Sequence, residues 1–306
     1  MPRTVMIFFL SFLFSVALVF CADSLHATDK EPLVIQDMSV LKTSDGKIVD
    51  QRIVDLEPGF SDKVECHKIK YLSDELKVVG FLLFPKIRDE KLPVLIYNRG
   101  GNREHGAIFG RNLSYLAYLA SNNYVVLASQ YRGNDGGEGK ESFGGSDIND
   151  VLNLIVLAKS LEYADPNKIV MLGYSRGGMM TYLAIKSGAQ IRAAAVVGGL
   201  TDIVQIYRER EDMRRVIEDL VGNREQDWRD RSAYYFPEKI NVPVLILHGE
   251  DDLQVNVTQA KKFSEKLFEF GKECEIQIFP KGDHGLNTHR SERNTKILKF
   301  FAKHMH

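Results

Sequence analysis

Three side chains far apart in the sequence could together carry out acyl transfer. They are Ser175 in Gly173-Tyr174-Ser175-Arg176-Gly177, an aspartate at 251 or 252 in "HGEDDLQV", and His284 in "PKGDHGL". A serine hydroxyl is a weak nucleophile and needs a base to take its proton, while a carboxylate fixes the orientation of that base. The Gly-x-Ser-x-Gly spacing suits a sharp strand-to-helix turn that holds the hydroxyl out on strained backbone. The oxyanion that develops on a substrate then needs N–H donors. One falls on Arg176, directly after the serine, and the other on the loop "YNRGGNREHG" (Tyr97–Gly106), where Gly100 and Gly101 can turn an N–H inward. Arg99, Arg103 and His105 of that loop could line a substrate cleft. Asp202 is a second candidate acid. Asp283 is too close to His284 in sequence to orient it well, and His248, at a strand end, reads as a buried structural histidine.

The elements that must hold these residues can be read from the hydrophobic pattern. Eight short strands are expected at "VECHKIKY", "VVGFLLFP", "LPVLIYN", "YVVLASQY", "KIVMLG", "AAAVVGG", "VPVLILHG" and "CEIQIFP". The first two suit a hairpin, and amphipathic helices separate most of the others. This alternation predicts right-handed crossovers and one mostly parallel eight-stranded sheet with helices on both faces. The serine, the acid and the histidine each follow a strand in that chain order, which is the order of the α/β-hydrolase fold. Parallel strands end on one side, so all three loops emerge together.

Residues 202–231 interrupt the alternation. "DIVQIYREREDMRRVIEDLV" places Ile203, Ile206 and Tyr207 on one helical face, continued by Val216, Ile217 and Leu220. Leaving from the same sheet edge as Ser175, this segment is expected to overhang the site as a small cap, with Tyr207 at the substrate.

The chain of 306 residues carries a formal net charge of -1, which removes the electrostatic argument for nucleic acid or an acidic membrane surface. The uncharged run Val5–Phe20 reads as the core of a secretory leader over residues 1–27, so export is expected, with membrane attachment only if the leader is retained. Residues 28–60 read as a polar amino-terminal extension and 61–306 as the catalytic domain. Cys66 and Cys274 fall on opposite edge strands, too far apart for a disulfide.

The same residues resemble the catalytic domain of the prolyl oligopeptidase family of serine peptidases. The likeness runs from about Val64 to the carboxyl terminus. It takes in the "RGG" loop, "YRGNDGGEG", "GGSDINDV", "DPNKIVMLGYSRGG", "INVPVLILHGEDDLQV" and "GDHGL". The resemblance implies Asp252, the fifth residue of His-Gly-x-x-Asp, as the acid, with Ser175 and His284 completing the triad. It also implies Gly101 as the second oxyanion donor, although Asn102 stands where the family pattern has proline. The activity implied is cleavage of short peptides, with ester hydrolysis as the alternative on the same fold and no metal or organic cofactor. A catalytically silent binding protein would lack a triad member, and none is missing.

Overall fold

The computed structural model describes residues 44–305. Its strands are β1 (Ile48–Ile53), β2 (Val64–Ser73), β3 (Leu76–Pro85), β4 (Leu92–Asn98), β5 (Val125–Ser129), β6 (Ala164–Tyr174), β7 (Ala193–Val197), β8 (Val244–Gly249) and β9 (Cys274–Phe279). They form one sheet in the order β1-β2-β3-β5-β4-β6-β7-β8-β9. The first three strands and the β3–β5 pair are antiparallel, and the pairs from β5 through β9 are parallel. Every residue of β5, β7 and β8 is buried, as a parallel sheet covered on both faces requires.

Helices α2 (Ile148–Ser160), α3 (Arg176–Lys186) and α7 (Val257–Glu269) close one face of the sheet, and α1 (Arg111–Ala120) and α8 (Arg290–His304) close the other. This is the α/β-hydrolase arrangement. The sheet has nine strands rather than the expected eight. The extra one, β1, lies inside the segment read as an extension, so the sheet begins at Ile48 rather than after residue 60. Its sequence IVDQRI is exposed along most of its length and pairs only with β2, so it carries little hydrophobic alternation to betray it. The leader read at residues 1–27 lies outside the described residues.

Cys66 sits on β2, one strand in from the edge rather than on it, and Cys274 on the edge strand β9; both are free thiols. Burial pushes both up to about 12, Glu275 adding to the effect on Cys274, so neither is a ready nucleophile.

The switch point of the sheet is at β4, flanked by β5 and β6. Ligands bind outside the carboxyl ends of the strands at such a point. The chain leaves β4 into the Arg99–Gly106 loop and leaves β6 into Ser175, so the two segments singled out in the sequence meet there.

Candidate active site

Ser175 occupies the turn between β6 and α3 with φ 54° and ψ −122°, a conformation disfavoured for any residue with a Cβ. The turn is kept tight by Gly177, where a Cβ would lie 1.9 Å from the Asn98 carbonyl oxygen. Leu200 N–H and Gly178 N–H donate to the Ser175 carbonyl, and Ser175 N–H donates to Val197 O, so β7, the loop after it and α3 brace the elbow. The first N–H groups of α3 have no acceptor within the helix and point their positive end at this turn.

Asp252 and His284 come together. His284 Nδ1 lies 2.7 Å from Asp252 Oδ2. The other carboxylate oxygen, Oδ1, accepts the N–H groups of Gln254 and Val255 at 2.8 and 2.9 Å. Burial alone would raise the Asp252 carboxyl. Hydrogen bonds from His248, His284 and the Val255 N–H outweigh it and hold the group well below the usual carboxylate range.

His248 is a neighbour that the sequence reading missed as part of the site. Fully buried, its Nε2 lies 3.1 Å from Asp252 Oδ2 and 2.8 Å from Val255 O. Both are acceptors, so Nε2 carries the proton. The only hint in the sequence was its place four residues before the acid.

Among the described residues none of the rival acids pairs with His284. Asp251 is exposed. Asp283 accepts from the backbone and side chain of Asn287. Asp202 accepts Gln205 N–H as the N-cap of α4 (Ile203–Glu209).

Arg99 does not reach the cleft. Its guanidinium is 1% exposed and turned into its own loop. It donates to the carbonyl oxygens of Gln130, Gly100, His105 and Arg103 at 2.8–3.1 Å. It is an internal brace, because five N–H groups in a rigid fork can satisfy loop carbonyls that no strand reaches. At Gly101, φ is 73° and a Cβ would lie 2.1 Å from His105 O, so only glycine fits the turn that brings the loop over Ser175.

The Arg176 side chain supports the same loop from below. It donates to Gly101 O at 3.1 Å and pairs with Glu141 at 2.7 Å and Asp147 at 2.6 Å. Its face lies against Tyr131 and Phe143. Glu141 also accepts the Arg103 N–H and lies 3.8 Å from Arg99. One buried carboxylate thus ties both arginines and the loop to the elbow. Glu141→Gln is expected to cost about 3 kcal/mol in urea unfolding, the low end for breaking a buried pair because Asp147 remains. A loss under about 0.5 kcal/mol would mean that Asp147 alone satisfies Arg176.

The cap consists of three helices: α4, α5 (Glu211–Leu220) and α6 (Glu225–Asp230). Extended backbone at Arg210 (φ −121°, ψ 104°) separates α4 from α5, so the helical face drawn from the sequence does not run on. Ile206, Met213 and Val216 line the cleft with Leu200 and Phe143. Tyr207, expected at the substrate, instead stacks on Trp228 at 4.3 Å and hydrogen-bonds Glu218, holding the cap together. The cleft, of about 1410 Å³, has Ser175, Arg176, Gly101, His105 and His284 in its wall.

Comparison with known proteins agrees with this arrangement. The sequence profile of the prolyl oligopeptidase family matches residues 111–306. A Bacillus subtilis protein named as the uncharacterized peptidase YtmA is 32% identical over 252 residues, which cover 80% of this chain and 96% of that protein. Acylamino-acid-releasing enzyme 1 of Oryza sativa subsp. japonica is 29% identical over 259 residues, covering 76% of this chain. The chain spans about a third of that enzyme's length, 33%. The solved acylaminoacyl peptidase of Pyrococcus horikoshii superposes with a TM-score of 0.71 at 24% identity, over 79% of this chain and 42% of the other, a likeness of fold. With the profile covering most of the chain and the Bacillus peptidase matched almost end to end, this protein belongs to the prolyl oligopeptidase family of serine peptidases and is a serine hydrolase.

Proposed function

We propose that the protein cleaves short peptides by a serine acyl-enzyme mechanism, with Ser175 as nucleophile, His284 as general base and then acid, and Asp252 as the group that orients it. The observation that carries this reading is the 2.7 Å contact between His284 and the buried Asp252, in a cleft that also holds the strained Ser175. With Nδ1 engaged, Nε2 is the ring nitrogen left to take the Ser175 proton as Oγ attacks the scissile carbonyl. The N–H groups of Gly101 and Arg176 receive the oxyanion. Collapse of the tetrahedral intermediate breaks the C–N bond, and His284 returns its proton to the leaving amine. Water, deprotonated by the same nitrogen, then attacks the acyl-enzyme and releases the acid and Ser175. Asp252 stays ionised throughout, stabilising the imidazolium.

The apolar wall of Leu200, Ile206, Met213 and Val216 suits an apolar residue beside the scissile bond. We read the chain as an exported enzyme on the strength of the uncharged run Val5–Phe20.

The deciding experiment is a side-by-side panel of short peptidyl amides and short-chain esters. The peptide reading expects turnover of amides at rates useful to a peptidase, with kcat/KM rising with apolar residues at the acyl side. Hydrolysis of esters with no measurable turnover of any amide would replace it with a carboxylesterase.

A further inference from the structure

The wall of the cleft away from the cap is built by the first turns of α1 and α8, and three arginines stand on it: Arg111, Arg290 and Arg293. Arg293 is 5% exposed. Its Nε and Nη2 donate to Asn294 Oδ1 at 3.0 and 2.8 Å, and Nη1 donates to Gly285 O, beside His284. Both acceptors are neutral. A guanidinium has five N–H groups, so two are left without an acceptor among the described residues. The Arg293 guanidinium lies 5.3 Å from the Tyr115 ring and 5.4 Å from the Tyr174 ring. Tyr174 OH donates to Tyr115 OH, and that hydroxyl donates to the same Asn294 oxygen, at 3.1 and 3.3 Å. The donors here outnumber the acceptors, and among the described residues no acid pairs with this guanidinium.

None of the three arginines forms an ion pair within 4.0 Å among the described residues. The acids in the cleft wall do not change this. Asp212 is bound to Arg210 within the cap, and Glu57 pairs with none of the three. A nearly buried cation normally has a partner, because leaving it unpaired is strongly destabilising. Here it is partnered only by neutral oxygens and aromatic rings, in a cavity open to substrate.

We propose that this wall is a carboxylate-binding subsite, in which Arg293, assisted by Arg290 and Arg111, receives an anionic group of the substrate. A carboxylate can take both free N–H groups of one guanidinium in a fork, the geometry for which arginine is suited. Because Arg293 bonds the residue next to His284, and His284 gives its proton to the leaving amine, the subsite lies on the leaving-group side of the scissile bond. The carboxylate is the α-carboxylate of the leaving residue or the side chain of an aspartate or glutamate there. The placement rests on the serine-peptidase reading above, but binding can be measured without turnover.

The test uses the full chain and three matched peptides. One ends in a free carboxylate just after the scissile bond, one is its carboxamide, and one is a carboxamide with glutamate at the leaving residue. At least one carboxylate form should exceed the neutral amide in kcat/KM by roughly tenfold, a preference that weakens with added salt. Preference for the free acid alone assigns the α-carboxylate, and preference for the glutamyl amide alone assigns the side chain. The ratio should fall to about one in Arg293→Gln, and in Arg111→Gln/Arg290→Gln, whose exposed positions guard against a folding defect. Equal kcat/KM for all three peptides, or a ratio unmoved in both variants, overturns the proposal. If no peptide is cleaved, the peptidase reading has failed, and calorimetric binding of the same peptides to Ser175→Ala decides the subsite separately. Tighter binding of a carboxylate form supports it, and equal affinities refute it.

Discussion

Ser175→Ala is expected to abolish turnover, lowering kcat by about four to six powers of ten while leaving the fold intact. The two consequences separate because, among the described residues, the hydroxyl makes no hydrogen bond that holds the elbow together. The bonds that brace it run through the Ser175 backbone to Val197, Leu200 and Gly178, which alanine keeps. Labelling by a fluorophosphonate should follow the same residue. The oxyanion donors are backbone groups and survive the substitution, so a small residual rate above the uncatalysed reaction is expected. Strong labelling of the alanine variant, or a rate within tenfold of the native one, would remove Ser175 from the mechanism.

Asp252→Asn should lower kcat by up to about four powers of ten, while Asp251→Asn costs no more than about tenfold. Asp252 accepts from His284 and from two backbone N–H groups, whereas Asp251 is exposed and leaves the histidine untouched. An amide at 252 can present its NH₂ to Nδ1 and favour the wrong tautomer. Equal, small losses at both positions would contradict the assignment.

A second readout follows from the depressed Asp252 carboxyl. A group whose folded value lies below its unfolded one contributes stability that is complete above the unfolded value, about pH 4. It is withdrawn as the pH falls from there toward the folded value. The native protein should lose stability over that acid range, and Asp252→Asn should flatten this part of the curve.

The inner parallel strands β5, β7 and β8 announced themselves as short apolar runs buried on both faces, the edge strand β9 kept enough apolar residues to be read, and Ser175, Asp252 and His284 were visible because each follows a strand. Spacing alone left Asp251 and Asp252 equal. The difference lies in the turn at Gln254 and Val255, whose N–H groups gather on one carboxylate, and family likeness stood in for that geometry. The roles of Arg99 and Tyr207 were not legible for a different reason. Whether a loop arginine faces solvent or folds inward depends on where the carbonyls of Gln130 and His105 arrive, and those come from another strand and another turn. Nor did proline or glycine mark the break at Arg210, so the cap looked like a longer helix than it is. His248 was recognised as buried, but its contact with Asp252 depends on the path of the chain after β8.

The left-handed backbone at Ser175 bears on any attempt to harden this enzyme. At φ 54° a residue without a Cβ is more comfortable than serine, so glycine at this one position would relax the turn and remove the nucleophile together. Thermal survival and turnover therefore pull in opposite directions at the centre of the molecule. A library screened only for resistance to heat would drift toward dead but sturdier variants. Any such selection must retain a test for acyl transfer at every round.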